Sequence, residues 1–304
     1  MSFLDTFREM LVILFAMAMG YTANRLGYLG GETDQKVCRI ILNLTLPAMI
    51  VASVAGGDTL PGAAEILAVL RVAAVFYGME ILVTLLVPRL LGGTDRQKGV
   101  WRYTLMFPNM AFIGYPVSVA LFGPEALFYA VILVLPFNLL AYSLGPLMLA
   151  GRARFRWQQL VSPCIIASVI ALTAALGNLC LPAVAGECLS FVGNLTVPLS
   201  LLVVGSLLAG LPAKQVFTSP RLWALAAVRL LGMPTLLWAI LRYMSVEPPM
   251  VAGIAVILMA MPTAVNGTMM SLEYGGDTES MAQITFLTTL ASIFTSPVIS
   301  ALLL

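Results

Sequence analysis

Apolar residues follow one another along this chain in runs of about twenty, the length a helix needs to cross the hydrocarbon core of a bilayer. Ten such runs are present, with approximate cores at 8–27, 37–56, 65–88, 100–121, 126–149, 160–179, 186–209, 220–243, 249–271 and 281–303. The polar positions fall in short connections that carry Gly, Pro and most of the charge. The pattern predicts an all-α polytopic membrane protein of ten transmembrane helices with no soluble domain. Two runs are flawed. The fourth contains Pro108-Asn109 and Gly114-Tyr115-Pro116, and the ninth contains Met261-Pro262-Thr263 followed by Asn266-Gly267-Thr268. Proline lacks an N–H and strands a carbonyl where there is no water to satisfy it. Broken backbone at that depth is expected only where protein buries it or where it lines a cavity.

The flaws recur at nearly constant spacing. Asn43-Leu44-Thr45-Leu46-Pro47 in span 2 returns as Asn194-Leu195-Thr196-Val197-Pro198 in span 7, 151 positions later. Gly78-Met79 and Gly232-Met233 are 154 apart, as are Pro108 and Pro262, while Gly145-Pro146 and Ser296-Pro297 are 151 apart. Four matches in the same order predict an internal repeat, residues 1–151 and 152–304, with five spans in each half. An odd number of spans makes the second half enter the membrane from the opposite side. Inverted repeats are the architecture of secondary transporters.

Charge orients this arrangement. Arg25, Lys36 and Arg39 follow span 1, and Arg89, Arg96, Lys98 and Arg102 follow span 3. Arg152, Arg154 and Arg156 follow span 5, Lys214 and Arg221 follow span 7, and the even-numbered connections hold only Arg242. The positive-inside rule therefore places odd connections in the cytoplasm and both termini outside a cell membrane. The ninth connection, with Asp277 and Glu279, adds nothing either way. Asp5, Arg8 and Glu9 at the start mark the first run as a span and not a cleaved leader.

Composition mainly removes alternatives. The chain is 60% hydrophobic and 10% charged with mean hydropathy +0.98, against about 25% charged in soluble domains. Without histidine there is no imidazole to bind a metal or relay protons. No P-loop, zinc motif, activated nucleophile or large basic patch is present, so neither an enzyme nor a nucleic-acid partner is indicated. Cys180 and Cys188 flank a loop placed outside and form the pair suited to a disulfide, although unpaired apolar cysteines are the simpler expectation.

Candidate chemistry centres on the breaks. Interrupted helices expose N–H groups with partial positive charge, which suit a carboxylate without a buried cation. Asn109 and Asn266 add amides, and Thr263 and Thr268 add hydroxyls. Ordinary proline kinks with packing asparagines are the plainer alternative. Asn138 in span 5 follows Pro136 and is either a ligand contact or interhelical glue. The Asn-Leu-Thr-x-Pro motifs are read first as pivots. Glu80 in span 3 and Arg229 in span 8 are ionisable groups at membrane depth. They are either an ion pair or, the simpler expectation, a snorkelling arginine and a protonated acid. If Glu80 titrates, it is the candidate for coupling transport to protons.

Pro108-Asn109 with Gly114-Tyr115-Pro116 resembles the Pro-Asn-x-x-x-x-Gly-x-Pro segment of the auxin efflux carrier family, within the bile-acid/sodium symporter-like group of folds. Pro262 followed by Ser271-Leu272-Glu273-Tyr274 is similar to that family's penultimate helix, and Asn138 with Gly145 to its bacterial members. The resemblance implies a scaffold of spans 1, 2, 6 and 7, and a transport domain of spans 3–5 and 8–10 in which broken helices 4 and 9 cross. It implies an elevator-like movement, a homodimer formed through the scaffold, and a substrate site at the crossing where Asn109 meets a carboxylate. The site residues expected are Asn109, Gly114, Pro116, Asn138, Pro262, Thr263, Asn266 and Gly267. Asn266-Gly267-Thr268 departs from the bulkier apolar plant pattern and suits a small polar anion such as malate or malonate. An auxin-like weak-acid efflux carrier or a facilitative uniporter is the alternative, and a channel or intramembrane enzyme stands further off. No cofactor is implied, and the coupling ion, if there is one, is a proton or sodium.

Overall fold

Apart from two breaks, the described residues of the apolar runs are mostly helical. The computed structural model describes residues 3–53, 63–150, 163–177, 179, 182–210 and 219–303. Its helices are α1 (Phe3–Arg25), α2 (Gly31–Ala52), α3 (Ala63–Leu91), α4 (Asp95–Met106), α5 (Met110–Phe122) and α6 (Ala126–Ala150). There follow α7 (Pro163–Leu176), α8 (Ala183–Ala209), α9 (Pro220–Tyr243), α10 (Pro249–Met259), α11 (Asn266–Tyr274) and α12 (Thr278–Leu303). Five of these, α2, α3, α8, α9 and α12, are long and apolar enough to cross a membrane, and shorter apolar helices accompany them. Large apolar side chains such as Phe15, Leu90, Phe191 and Phe294 face outward. Buried polar groups such as Asn109, Glu80, Arg229 and Thr288 face inward. That is the reverse of a water-soluble surface and suits lipid. Cys188 is exposed, while Cys180 lies outside the described residues, so the Cys180–Cys188 pairing lies there too.

Proline shapes several helices in one way. A π turn precedes Leu46-Pro47 (Ile41–Thr45), Tyr115-Pro116 (Met110–Gly114) and Met233-Pro234 (Val228–Gly232). A proline ring collides with the carbonyl four residues back, and widening the turn by one residue moves that carbonyl aside. In each case the residue before proline reaches five back: Leu46 N–H to Ile41, Tyr115 N–H to Met110 and Met233 N–H to Val228. The related motif in α8 instead makes a turn at Asn194–Leu195.

Helices α1, α2, α7 and α8 pack on one another, and α3–α6 pack with α9–α12. The tightest seam joins α1 to α8, where Gly20 lies against Leu202 and Gly205 against Met17, backbone to backbone. Close approach through small residues is how helices associate in lipid. The connection before α2 is pinned to α8 by buried Asp34. Its carboxylate accepts from Ser206 Oγ at 2.7 and 2.9 Å and from Gly30 N–H at 2.9 Å, while Asn24 Nδ2 donates to Ser206 Oγ at 2.9 Å. Asp34→Ala leaves these donors facing apolar surface. It is expected to cost about 1–3 kcal/mol, seen as a lower midpoint in thermal unfolding of the purified protein.

Candidate functional site at the crossing

Pro108 cannot donate, so α4 ends at Met106 and the chain runs extended through Phe107. At Asn109, φ −79° and ψ 68° make an inverse γ-turn in which Met110 N–H reaches Pro108 C=O at 2.9 Å. The chain then re-enters a helix as α5. The second break, residues 260–265, separates α10 from α11. The two breaks pair with each other as an isolated antiparallel bridge between Pro108 and Thr263. Asn109 N–H donates to Pro262 C=O at 2.7 Å, and Ala264 N–H donates to Phe107 C=O at 2.9 Å. Each arm thus satisfies backbone that the break in the other arm leaves without a helical partner.

α12 supports the crossing. Thr288 Oγ1 accepts from Thr263 N–H and lies 3.2 Å from Thr263 Oγ1. Thr288 belongs to a buried hydroxyl stripe, with Thr285, Thr289, Ser292, Ser296 and Ser300, at helical spacing along α12. The sequence reading passed over this stripe, whose three-to-four-residue period is its signal. An aromatic row also flanks the break, with ring centroids 4.8 Å apart for Tyr103–Phe107 and 5.6 Å for Phe107–Phe137.

The expected site residues divide by role. Asn109 is buried, and its Oδ1 caps α5 by accepting from Phe112 N–H at 3.4 Å. Its Nδ2 has no partner among the described residues. Pro262 and Thr263 sit in the bridge itself, and their polar groups are partly committed to it. Pro116 acts through the backbone, as the reason for the π turn in α5. Gly114 and Gly267 were expected to face substrate, yet their open faces are filled by protein. A methyl on Gly114 would lie 2.6 Å from Leu258 Cδ2, and one on Gly267 would lie 2.2 Å from Met281 Cε and 2.6 Å from Tyr103 Cε1. They let the arms and their supports approach closely. Asn138 lies within α6 and Asn266 opens α11; their side chains lie outside the description.

Beside the crossing is a small cavity of about 50 Å³ between α2, α5, α6 and α7. Ala111, two residues past Asn109, lines it with Leu42, Leu46, Tyr115, Val134 and Phe137. Cys164 and Ser168 complete the polar part of its wall. Cys164 Sγ donates to Leu42 C=O at 3.1 Å and Ser168 Oγ to Cys164 C=O at 2.7 Å, so these two groups are already engaged. The arrangement offers an amide donor at the crossing and a small, mostly apolar cavity next to it.

Glu80 and Arg229 correct the expectation of a snorkelling arginine. Both side chains are 0% exposed, and Arg229 Nη1 stands 3.7 Å from Glu80 Oε1. The same nitrogen donates to Leu105 C=O at 3.3 Å and lies 3.4 Å from Met233 Sδ and 3.5 Å from Met259 Sδ. Leu105 and Met259 belong to the last turns of α4 and α10, so the guanidinium sits where both arms end before crossing. Carbonyls at helix C-termini carry partial negative charge, which favours a cation there.

Comparison with known proteins agrees on the broad class. The family model described as "Membrane transport protein" matches residues 5–156 and 152–300. A protein of Methanothermobacter thermautotrophicus described as an uncharacterized transporter is 25% identical over 309 residues, covering 100% of both chains.

Proposed function

This chain belongs to the membrane transport proteins of the auxin efflux carrier family, and from that premise we propose that it is a secondary carrier of small organic anions. The observation that carries the anion reading is the unpartnered Asn109 Nδ2, a buried donor at the point where two broken helices bond to each other. A buried amide without a partner is unfavourable, and a carboxylate oxygen supplies what it lacks. Because α5 and α11 both begin at the crossing, their N-termini add partial positive charge to the same place.

The layout proposed is two inverted five-helix repeats, residues 1–151 and 152–304. The scaffold is α1, α2, α7 and α8, and the transport domain is α3–α6 with α9–α12, moving in an elevator-like way. The packing of these helices into two groups supports that division. By the distribution of Lys and Arg the carrier lies in the cell membrane with both termini outside, and by family resemblance it forms a homodimer through the scaffold.

Mono- and dicarboxylates both fit the Asn109 donor. A small polar anion such as malate or malonate is the substrate class proposed, with an auxin-like weak acid as the alternative.

Uptake of radiolabelled carboxylates into proteoliposomes tests this. A hydrogen bond to a charged group contributes about 1.5–3 kcal/mol, so Asn109→Ala is expected to raise KM by roughly 10-fold to 100-fold. Asn109→Asp keeps an oxygen to cap α5 but presents negative charge, and it is expected to fold and fail to transport. Wild-type kinetics in both variants would remove Asn109 from the site.

A further inference from the structure

The Glu80–Arg229 pair is under-satisfied to a degree that points to a second role. Neither oxygen of Glu80 accepts a hydrogen bond, and Arg229 Nε and Nη2 have no partner among the described residues. Buried ion pairs offset desolvation through close hydrogen bonding, which this pair, 3.7 Å apart, does not make. Adding a proton to Glu80 therefore breaks no hydrogen bond. Arg229 meanwhile keeps its bond to Leu105 C=O and its place at the ends of α4 and α10. The pair can pass between net charge zero and plus one without rearranging.

The other ionisable groups on the helices packed against α3 do not replace this partner. α10 has none, and α6 brings Tyr129, which hydrogen-bonds Glu65. α4 brings Asp95, Arg96, Lys98, Arg102 and Tyr103, and α9 brings Arg221, Arg242, stacked on Trp238, and Tyr243. On α3 itself Tyr77 bonds Leu133 C=O at 2.9 Å, and Arg71 and Arg89 lie elsewhere along the helix. None of these makes an ion pair or hydrogen bond with Glu80 among the described residues.

Resting on the carrier reading above, we propose that Glu80 is the coupling residue: one proton binds its carboxylate as one anion binds at the crossing, and both are released on the other side. The proton comes from water on the side of entry, no bond other than O–H is made or broken, and a monoanion moves without net charge. With Glu80 protonated, Arg229 stands uncompensated behind the crossing and favours the anion; with Glu80 ionised, that attraction is cancelled. By linkage the anion favours the proton to the same extent.

The test uses the purified full chain. Counterflow in proteoliposomes with malate, malonate and indole-3-acetate identifies which probe is carried, and exchange of none would remove the carrier reading together with this one. Calorimetric titration with the carried probe, in buffers of different ionisation enthalpy, then counts protons. One proton per anion is expected for the wild type, with Kd rising about tenfold per pH unit on the alkaline limb. Glu80→Gln is expected to bind and exchange the probe with no proton uptake and a flat Kd. Glu80→Asp is expected to move the limb to lower pH. No proton uptake by the wild type, continued uptake by Glu80→Gln, or an unmoved limb in Glu80→Asp would each overturn the proposal.

Discussion

Arg229→Ala is expected to produce the largest loss of stability of any single substitution here, about 3–5 kcal/mol. The magnitude follows from what is left behind. Glu80 is 0% exposed, and Arg229 is its ion-pair partner, so removing the guanidinium strands a carboxylate among apolar groups. The deletion also empties a large space, since Arg229 is among the bulkiest fully buried side chains and fills the gap between α4, α9 and α10. Arg229→Met with Glu80→Gln is expected to recover most of the thermal midpoint, because apolar or neutral replacements of similar volume often match a buried pair. The double variant is not expected to recover proton-coupled transport. Thermal unfolding of the purified protein, set beside uptake in proteoliposomes, separates the two outcomes.

The second large effect is expected at the seam between α1 and α8. A methyl on Gly20 would lie 2.0 Å from Leu202 O, and one on Gly205 would lie 1.9 Å from Met17 O. Both collisions are with backbone, so no rotamer change relieves them and the helices must separate. Overpacking of this kind costs about 1–3 kcal/mol for each alanine. Because either methyl pushes apart the same two helices, the double variant Gly20→Ala/Gly205→Ala is expected to cost distinctly less than the two singles added. A double-mutant cycle on unfolding midpoints reads this directly, and strict additivity would show that the two contacts are independent.

Much of the crossing is legible in the sequence because proline's effect is intrinsic. Pro108 and Pro262 lack a donor wherever they stand, and their equal place in the proposed repeat marks them as candidate partners. Asn109 is legible for a related reason, since an amide beside a break has obvious work to do. Arg229 is not. Whether an arginine in a membrane helix snorkels or turns inward depends on which face it occupies, and Arg229 lies inside the π turn Val228–Gly232. One added residue there shifts the helical phase by roughly a quarter turn, which a 3.6-residue period does not register. Gly114 and Gly267 are legible only in part. A missing side chain signals close approach without saying what approaches, and here it is Leu258, Tyr103 and Met281. Thr288 needed only attention to the spacing of hydroxyls in span 10.

The bridge between Phe107–Asn109 and Pro262–Ala264 also bears on how the protein is made. As the first break leaves the ribosome, its carbonyl and amide are unpaired, and their partners lie more than a hundred and fifty positions further along the chain. Until those residues arrive, the nascent chain holds polar backbone inside lipid. The two halves therefore complete each other during synthesis and not merely in the finished carrier. A stop codon after residue 151 should yield a fragment that membrane proteases clear, and supplying residues 152–304 from a separate message should rescue it.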